Sequence, residues 1–378
     1  MVEGLEKLRE EFEGLREWAY LNTAAMGVVP HTVAAAANTY YDEAAQRNGD
    51  VNQVWRNRTE QTRKSVASLL NVTPEEIAFL PSTSLGMNLI AMMLKRTGKS
   101  EIVAAETEFP TTTLPFLHHG FKVRWVKAVD GALSVEAYAE QITSRTAAVV
   151  AAVTQFSSGW RLDPVQLGRL AKDKSVLLVL NLTQTVGSFP VDLCAARADF
   201  ASFTGVKWLC AGEGSGVLFV RRAFLEWTKP PVFGWNSTPD PYRMDNRWLG
   251  VRRDAARFEV GNIAFAPVFA LNAAVKLYNR VGAQNVAERT LNLAAILADR
   301  LQKAGFSLFT NWEDPAHRSG IVTFKVKEAE KVVEALRDRK IAVSARWEMI
   351  RASVHWYNTE EEAERFVVTL KEIGAQPE

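Results

Sequence analysis

A chain of 378 residues, 47% hydrophobic and 23% charged, has the composition of a soluble globular protein with apolar mass for more than one core. Its net charge of +2, without a basic tail, excludes a general attraction to nucleic acid or to membrane surfaces. Two cysteines and five scattered histidines offer neither a disulfide framework nor metal-ligand spacing, and no apolar run reaches the ~18 residues of a transmembrane helix. With a charged, amphipathic N-terminus that lacks a signal-peptide core, these features point to the cytoplasm.

Leu5, Leu8, Phe12 and Leu15 recur at helical spacing, which predicts a helix over 3–18. Tyr20 to Gly27 runs into a small-residue loop ending at Pro30, where backbone can approach a ligand or simply turn. Helices are predicted over 31–47 and 52–70. From Glu76 the pattern alternates: a strand at 76–80 stops at Pro81, and Ser82-Thr83-Ser84 opens a helix to about Leu94. A strand, a hydroxyl-rich turn and a helix N-terminus make a ready anion site, although Ser82 or Thr83 can also serve merely as the cap.

Strands follow at 101–105, 121–127, 146–153 and 175–182, separated by helices near 111–118, 134–142 and 163–172. The run 175–182 is nearly all apolar, as a strand buried on both faces should be. Such βα repeats predict a mostly parallel sheet covered by helices, with ligands beyond the carboxyl ends of its strands. Thr83, Glu108-Phe109-Pro110, Ser157-Ser158-Gly159, Asn181 to Gln184 and Lys207 all fall there.

Lys207 sits at a tip between two strand-like runs, 200–203 and 217–220, with Thr204, Gly205 and Trp208 beside it and a glycine-rich stretch after it. A lysine in an apolar pocket loses preference for its charged form, which frees the amine as a nucleophile toward a carbonyl. Residues 229–254 form a long loop whose Trp235 and Trp248 need burial, as core or as the wall of a substrate site. Helices at 265–280 and 283–305 precede a small α/β unit: strands at 306–310, 320–326, 341–345 and 350–356, helices at 327–339 and 359–374.

In their order and spacing these motifs resemble those of the class V aminotransferases, from Tyr20-Leu21-Asn22 to Tyr357-Asn358-Thr359. That family comprises fold-type-I pyridoxal-phosphate (PLP) enzymes, among them cysteine desulfurases, kynureninase and isopenicillin N epimerase. The resemblance implies an N-terminal helix (1–19) packed on a small C-terminal domain (259–378), and a large PLP-binding domain (20–258). It implies Lys207 as the Schiff-base lysine, Thr83, Ser84 and Thr204 as the phosphate cradle, Phe109 stacked on the pyridine ring, and Gln184 at the ring hydroxyl. Asn262 matches a position that reaches the phosphate of a neighbouring subunit, which implies a homodimer with shared sites. Arg346 is expected at the substrate carboxylate, with Arg351 as the alternative or as half of an internal ion pair.

Two departures bear on the chemistry. Asn181 stands where the family has the aspartate that keeps the pyridine nitrogen protonated; a neutral amide cannot stabilise that charge. The loop Arg346 to Ile350 carries no cysteine, and Val206 replaces the histidine common in desulfurases, so cysteine desulfurase activity is disfavoured. The resulting expectation is an enzyme acting at the α-carbon of an amino acid or amine, with transamination leading. An epimerase or β/γ-lyase is the alternative, and a PLP-binding protein weakened by Asn181 the second.

Overall fold

Alternate residues of one strand enter two different cores: Ile77 and Phe79 face one, Ala78 and Leu80 the other. A sheet built of such strands must be covered by helices on both sides. The computed structural model describes residues 4–46 and 51–378; positions 3 and 47, at the ends of two predicted helices, lie outside the described residues. Its main sheet has seven strands: β1 (Ile77–Leu80), β2 (Glu101–Ala105), β3 (Lys122–Val126), β4 (Thr146–Ala152), β5 (Leu177–Asn181), β6 (Phe200–Thr204) and β7 (Gly216–Val220). The spatial order is β1-β7-β6-β5-β4-β2-β3, and β2 to β6 pair in parallel while β7 runs against both of its neighbours.

A second, antiparallel sheet is formed by β8 (Ile321–Lys325), β9 (Ser344–Arg346) and β10 (Met349–Ser353), in the order β9-β10-β8. It shares a core of its own with helices Ala283–Lys303, Ala329–Asp338 and Glu360–Glu372. Ala19–Tyr20 pairs in parallel with Ile341–Ala342 as a separate two-stranded sheet, just before the loop that runs to Gly27. No helix among the described residues is long and apolar enough to cross a membrane.

Four regions differ from the sequence reading. The helix expected over 3–18 is two short turns, Leu5–Arg9 and Glu13–Leu15. Phe12 between them packs 5.6 Å from Trp356 and 4.9 Å from Tyr357, and Arg9 pairs with Glu362 at 2.6 Å. The stretch 306–310 makes only an isolated bridge, Leu308 to Phe324, because Phe306 turns into the small core instead. A helix at Arg222–Trp227 had no clear sequence signal. Trp235 is 42% exposed rather than buried; the guanidinium of Arg56 lies 5.9 Å from its ring and supplies part of its cover.

Two buried carboxylates tie strands of the sheet to their surroundings, Glu259 at the edge strand β1 and Glu108 in the interior. Arg63 donates to both oxygens of Glu259, at 2.7 and 3.1 Å, and to the carbonyl of Ile77; Glu259 also accepts the N–H of Phe79. Removing Glu259 takes away the buried partner of Arg63 and leaves it only the exposed Glu60, at 3.0 Å, so Glu259→Ala should lower stability by about 3 kcal/mol. A denaturant melt reads this as a lower midpoint; an unchanged midpoint would contradict the role given to the pair.

Glu108 joins β2 to β4: its Oε1 accepts from the Ala152 N–H at 2.8 Å and from Gln155 Nε2 at 3.1 Å, while Oε2 has no partner. Burial pushes its pKa from 4.5 up to about 7, against the pull of these bonds and of nearby Thr112. The folded chain therefore keeps a proton that the unfolded chain releases near pH 4.5. The associated stabilisation is full below that pH and is lost as pH rises through about 7. Glu108→Gln should abolish this component, on the order of 3 kcal/mol between pH 5 and 8. Melts of the two proteins that keep the same pH slope would refute the assignment.

Candidate active site

The carboxyl ends of β1, β4, β5 and β6 open on one cavity of about 320 Å³, closed on its far side by the hairpin β9–β10 and by Ala24 and Ala25. At one end is the start of helix Thr83–Leu94, capped by Ser82, whose Oγ accepts the Leu85 N–H at 3.3 Å. Thr83 and Thr183 share a hydroxyl hydrogen bond of 2.9 Å, and Ser84 and Thr111 one of 2.8 Å. Thr204 lines the same cavity. Hydroxyls and free helix N–H groups together suit a phosphate. Gly216 makes the approach possible: a Cβ there would meet Ser82 N at 2.5 Å.

In the middle of the cavity, Lys207 Nζ lies 5.5 Å from the centroid of the Phe109 ring, which packs edge-on against Phe156. Asn181 is buried, and its polarity is set by its neighbours. Oδ1 accepts the Thr183 N–H at 3.0 Å, and Nδ2 donates to Thr112 Oγ1 at 2.9 Å. The second N–H of Nδ2 is left for the cavity, so Asn181 presents a donor there. Gln184 is fixed in the same way: Oε1 accepts the Trp208 indole N–H at 2.8 Å and Nε2 donates to the Ala24 carbonyl at 2.9 Å.

Lys207 stands on a tightly packed turn. The Gly27 N–H donates to the Val206 carbonyl at 2.9 Å, and a Cβ at Gly27 would lie 2.1 Å from the Lys207 carbonyl oxygen. Trp208 is clamped by Gln184 on one side and by His355 on the other, whose Nε2 donates to the Trp208 carbonyl at 2.7 Å. Burial, then the charges of Arg351 and Arg346, bring the Lys207 pKa down from 10.5 to about 7. The amine is therefore substantially unprotonated at neutral pH, as a nucleophile or base must be.

The hairpin β9–β10 supplies two guanidiniums. Register pairs Arg346 with Met349 and Arg351 with Ser344, so the two arginines are diagonal neighbours on one face. Arg351 is 1% exposed; one nitrogen donates to the Phe156 carbonyl at 2.8 Å, while Nε and Nη2 have no partner. Burial and the charge of Arg346 bring its pKa down to about 9, the mark of a cation without a counter-ion. Arg346 is half-buried and donates to the carbonyl of its neighbour Ala345 at 2.6 Å.

Eight residues singled out by sequence thus line one cavity: Thr83, Ser84, Phe109, Asn181, Gln184, Thr204, Lys207 and Arg346. Asn262 is exposed and does not line it; the expectation for that residue concerned a neighbouring subunit's site. Sequence reasoning passed over Thr112 and Phe156, which carry no motif.

The residues present fit PLP: a phosphate end, an aromatic wall, an N–H donor for the ring nitrogen and a neutral amine in reach of an aldehyde. A "probable cysteine desulfurase" of Methanothermobacter thermautotrophicus is 26% identical over 98% of each chain. An uncharacterised aminotransferase of Bacillus subtilis is 25% identical, again over 98% of each. The apo structure of a cysteine desulfurase from Thermococcus onnurineus superposes with a TM-score of 0.90 at 24% identity, covering 97% of both chains. Relatives named for two different reactions match equally well, so these likenesses establish the fold and not the reaction. The family model for aminotransferase class-V matches residues 19–366, and the chain belongs to that family of fold-type-I, PLP-dependent enzymes.

Proposed function

We propose that the protein is a PLP-dependent aminotransferase acting at the α-carbon of an amino acid or amine, with Lys207 as the covalent anchor and base. One observation carries the reading: a buried amine held near neutrality faces the same cavity as a buried guanidinium with two unpartnered nitrogens. Arg351 is the group proposed to hold the substrate carboxylate, in preference to Arg346, because its Nη1 is anchored on the Phe156 carbonyl and its Nε and Nη2 are left without a partner. When bound, PLP supplies the sink for charge developing at the α-carbon.

The rest follows from the chain's own groups. Thr83, Ser84 and Thr204 would hold the phosphate, Phe109 would cover the ring face, and Gln184 would offer its remaining N–H to the ring hydroxyl. Lys207, its place taken by the substrate's amine, would accept the α-proton at Nζ and return it on the cofactor side of the transferred nitrogen. Asn181 donates a hydrogen bond and carries no charge, so it would hold the ring nitrogen in place without protonating it. That polarity favours a second reading, epimerisation, in which the proton returns to the α-carbon and less is asked of the ring.

Neither cysteine suits a desulfurase. Cys210 is buried, with a thiol pushed up by burial and directed at the Lys207 carbonyl, and Cys194 lies on another face between Leu193 and Arg197. The turn between β9 and β10 is two residues long, Trp347 and Glu348. Two free cysteines also agree with a reducing, cytoplasmic setting. A homodimer is proposed as well: Asn262 and the apolar side chains of Trp235, Tyr242, Met244 and Leu249 lie exposed, as a surface awaiting a second subunit would.

Product analysis tests the reaction type. Incubation of the loaded enzyme with single L-amino acids should yield the matching keto acid; racemised substrate without keto acid would favour the second reading. Sulfane sulfur released from cysteine would overturn both. Cofactor uptake should speed up as pH rises through about 7, because the amine of Lys207 must lose its proton first. A pH-independent uptake rate would contradict the neutral-amine assignment. Asn181→Asp, which restores a charge beside the ring nitrogen, should raise the rate of α-proton removal about tenfold or more, the equivalent of roughly 1.4 kcal/mol. An unchanged hydrogen–deuterium exchange rate at the α-carbon would remove Asn181 from the account.

A further inference from the structure

The lining of the cavity is unbalanced in charge. Lys207, Arg346 and Arg351 contribute to it, and no aspartate or glutamate does among the described residues. Neither guanidinium has an acidic neighbour acting on it: burial alone shifts Arg346, and burial with Arg346 shifts Arg351. Asn181, in the place where a carboxylate is usual, removes a further negative charge from the same wall. A substrate with one carboxylate satisfies Arg351 and leaves Arg346 facing the cavity without an anion.

The geometry of the hairpin separates the two tasks. Diagonal neighbours on an antiparallel pair stand about 7–8 Å apart at the backbone, so two guanidiniums can each meet a different carboxylate of one short molecule. Arg351 is deep, and Arg346, half-buried, is at the mouth. Phe156, which lines the same cavity, gives apolar cover for the carbons between the two anionic ends.

We infer that the substrate is a short dicarboxylic amino acid, of the aspartate or glutamate class, whose distal carboxylate is bound by Arg346 while Arg351 holds the α-carboxylate. This rests on the proposed α-carbon chemistry and specifies its substrate. The two-point grip also fixes the orientation of the α-carbon relative to Lys207, since a substrate held at both ends has one way to lie.

The test compares glutarate with valerate, which differ in the second carboxylate, by calorimetric titration of the PLP-loaded protein. Glutarate should bind about tenfold more tightly or better, the gain expected of a charge-assisted bond. Arg346→Gln should bring glutarate down to the level of valerate and leave valerate unchanged, and Arg346→Lys should recover part of the difference. Equal binding of the two by the unaltered protein, or an equal loss of both in Arg346→Gln, overturns the inference. The Arg351→Gln variant separates the two levels of the argument. If valerate binding depends on Arg351 and glutarate gains nothing over it, the dicarboxylate inference alone fails. If valerate does not bind, or binds as well without Arg351, the carboxylate site itself falls and the inference falls with it.

Discussion

An unpaired cation buried in a protein is costly, and Arg351 is such a cation. The fold holds it there through a single bond to the Phe156 carbonyl and through the covalent run of β10, which is hydrogen-bonded on both sides. Its charge is also one of the two that depress the pKa of Lys207, so the guanidinium that would receive a substrate helps to keep the amine reactive. Stability is given up in one place and reactivity appears in another, on a wall contributed by the hairpin of the small sheet opposite a lysine that follows β6 of the main one. The closeness of the two sheets is therefore a condition of the chemistry.

The contacts that enforce this closeness are specific. Glycine at 27 lets the loop that follows Tyr20 lie directly on the backbone of the lysine turn, and His355, just after β10, donates to Trp208 next to the lysine. The Nδ1 of that histidine has no partner, and burial brings its pKa from 6.5 down to about 4, so it stays neutral in this role. Asn181 shows the same economy at the end of β5. One amide serves the turn after β5 through Oδ1 and the start of helix Pro110–His118 through Nδ2, and has a single N–H left over.

Much of this was legible because its causes are local. Pro81 stops β1, Ser82 caps the next helix, and the hydroxyls that follow are carried to the cavity by that helix start. The apolar runs of β4 to β6 announce a sheet buried on both faces, and the end of each such strand is where the site lies. What sequence could not give depends on distant partners. Whether an arginine meets a carboxylate is decided by tertiary neighbours, which is why Arg346 and Arg351 were hard to rank. The Thr183 N–H fixes which way Asn181 points, but its second partner, Thr112, is 69 residues away. The break after Arg9 follows from Phe12 finding Trp356 and Tyr357, and nothing in the local periodicity reports it.

The central claim is that Lys207 is the covalent anchor of the cofactor. Borohydride reduction of the PLP-loaded protein, followed by proteolysis and peptide mass mapping, addresses it directly. The account predicts one reduced pyridoxyl adduct, on the peptide containing Lys207, and its loss in Lys207→Ala. An adduct on another lysine, or none after loading, would contradict it.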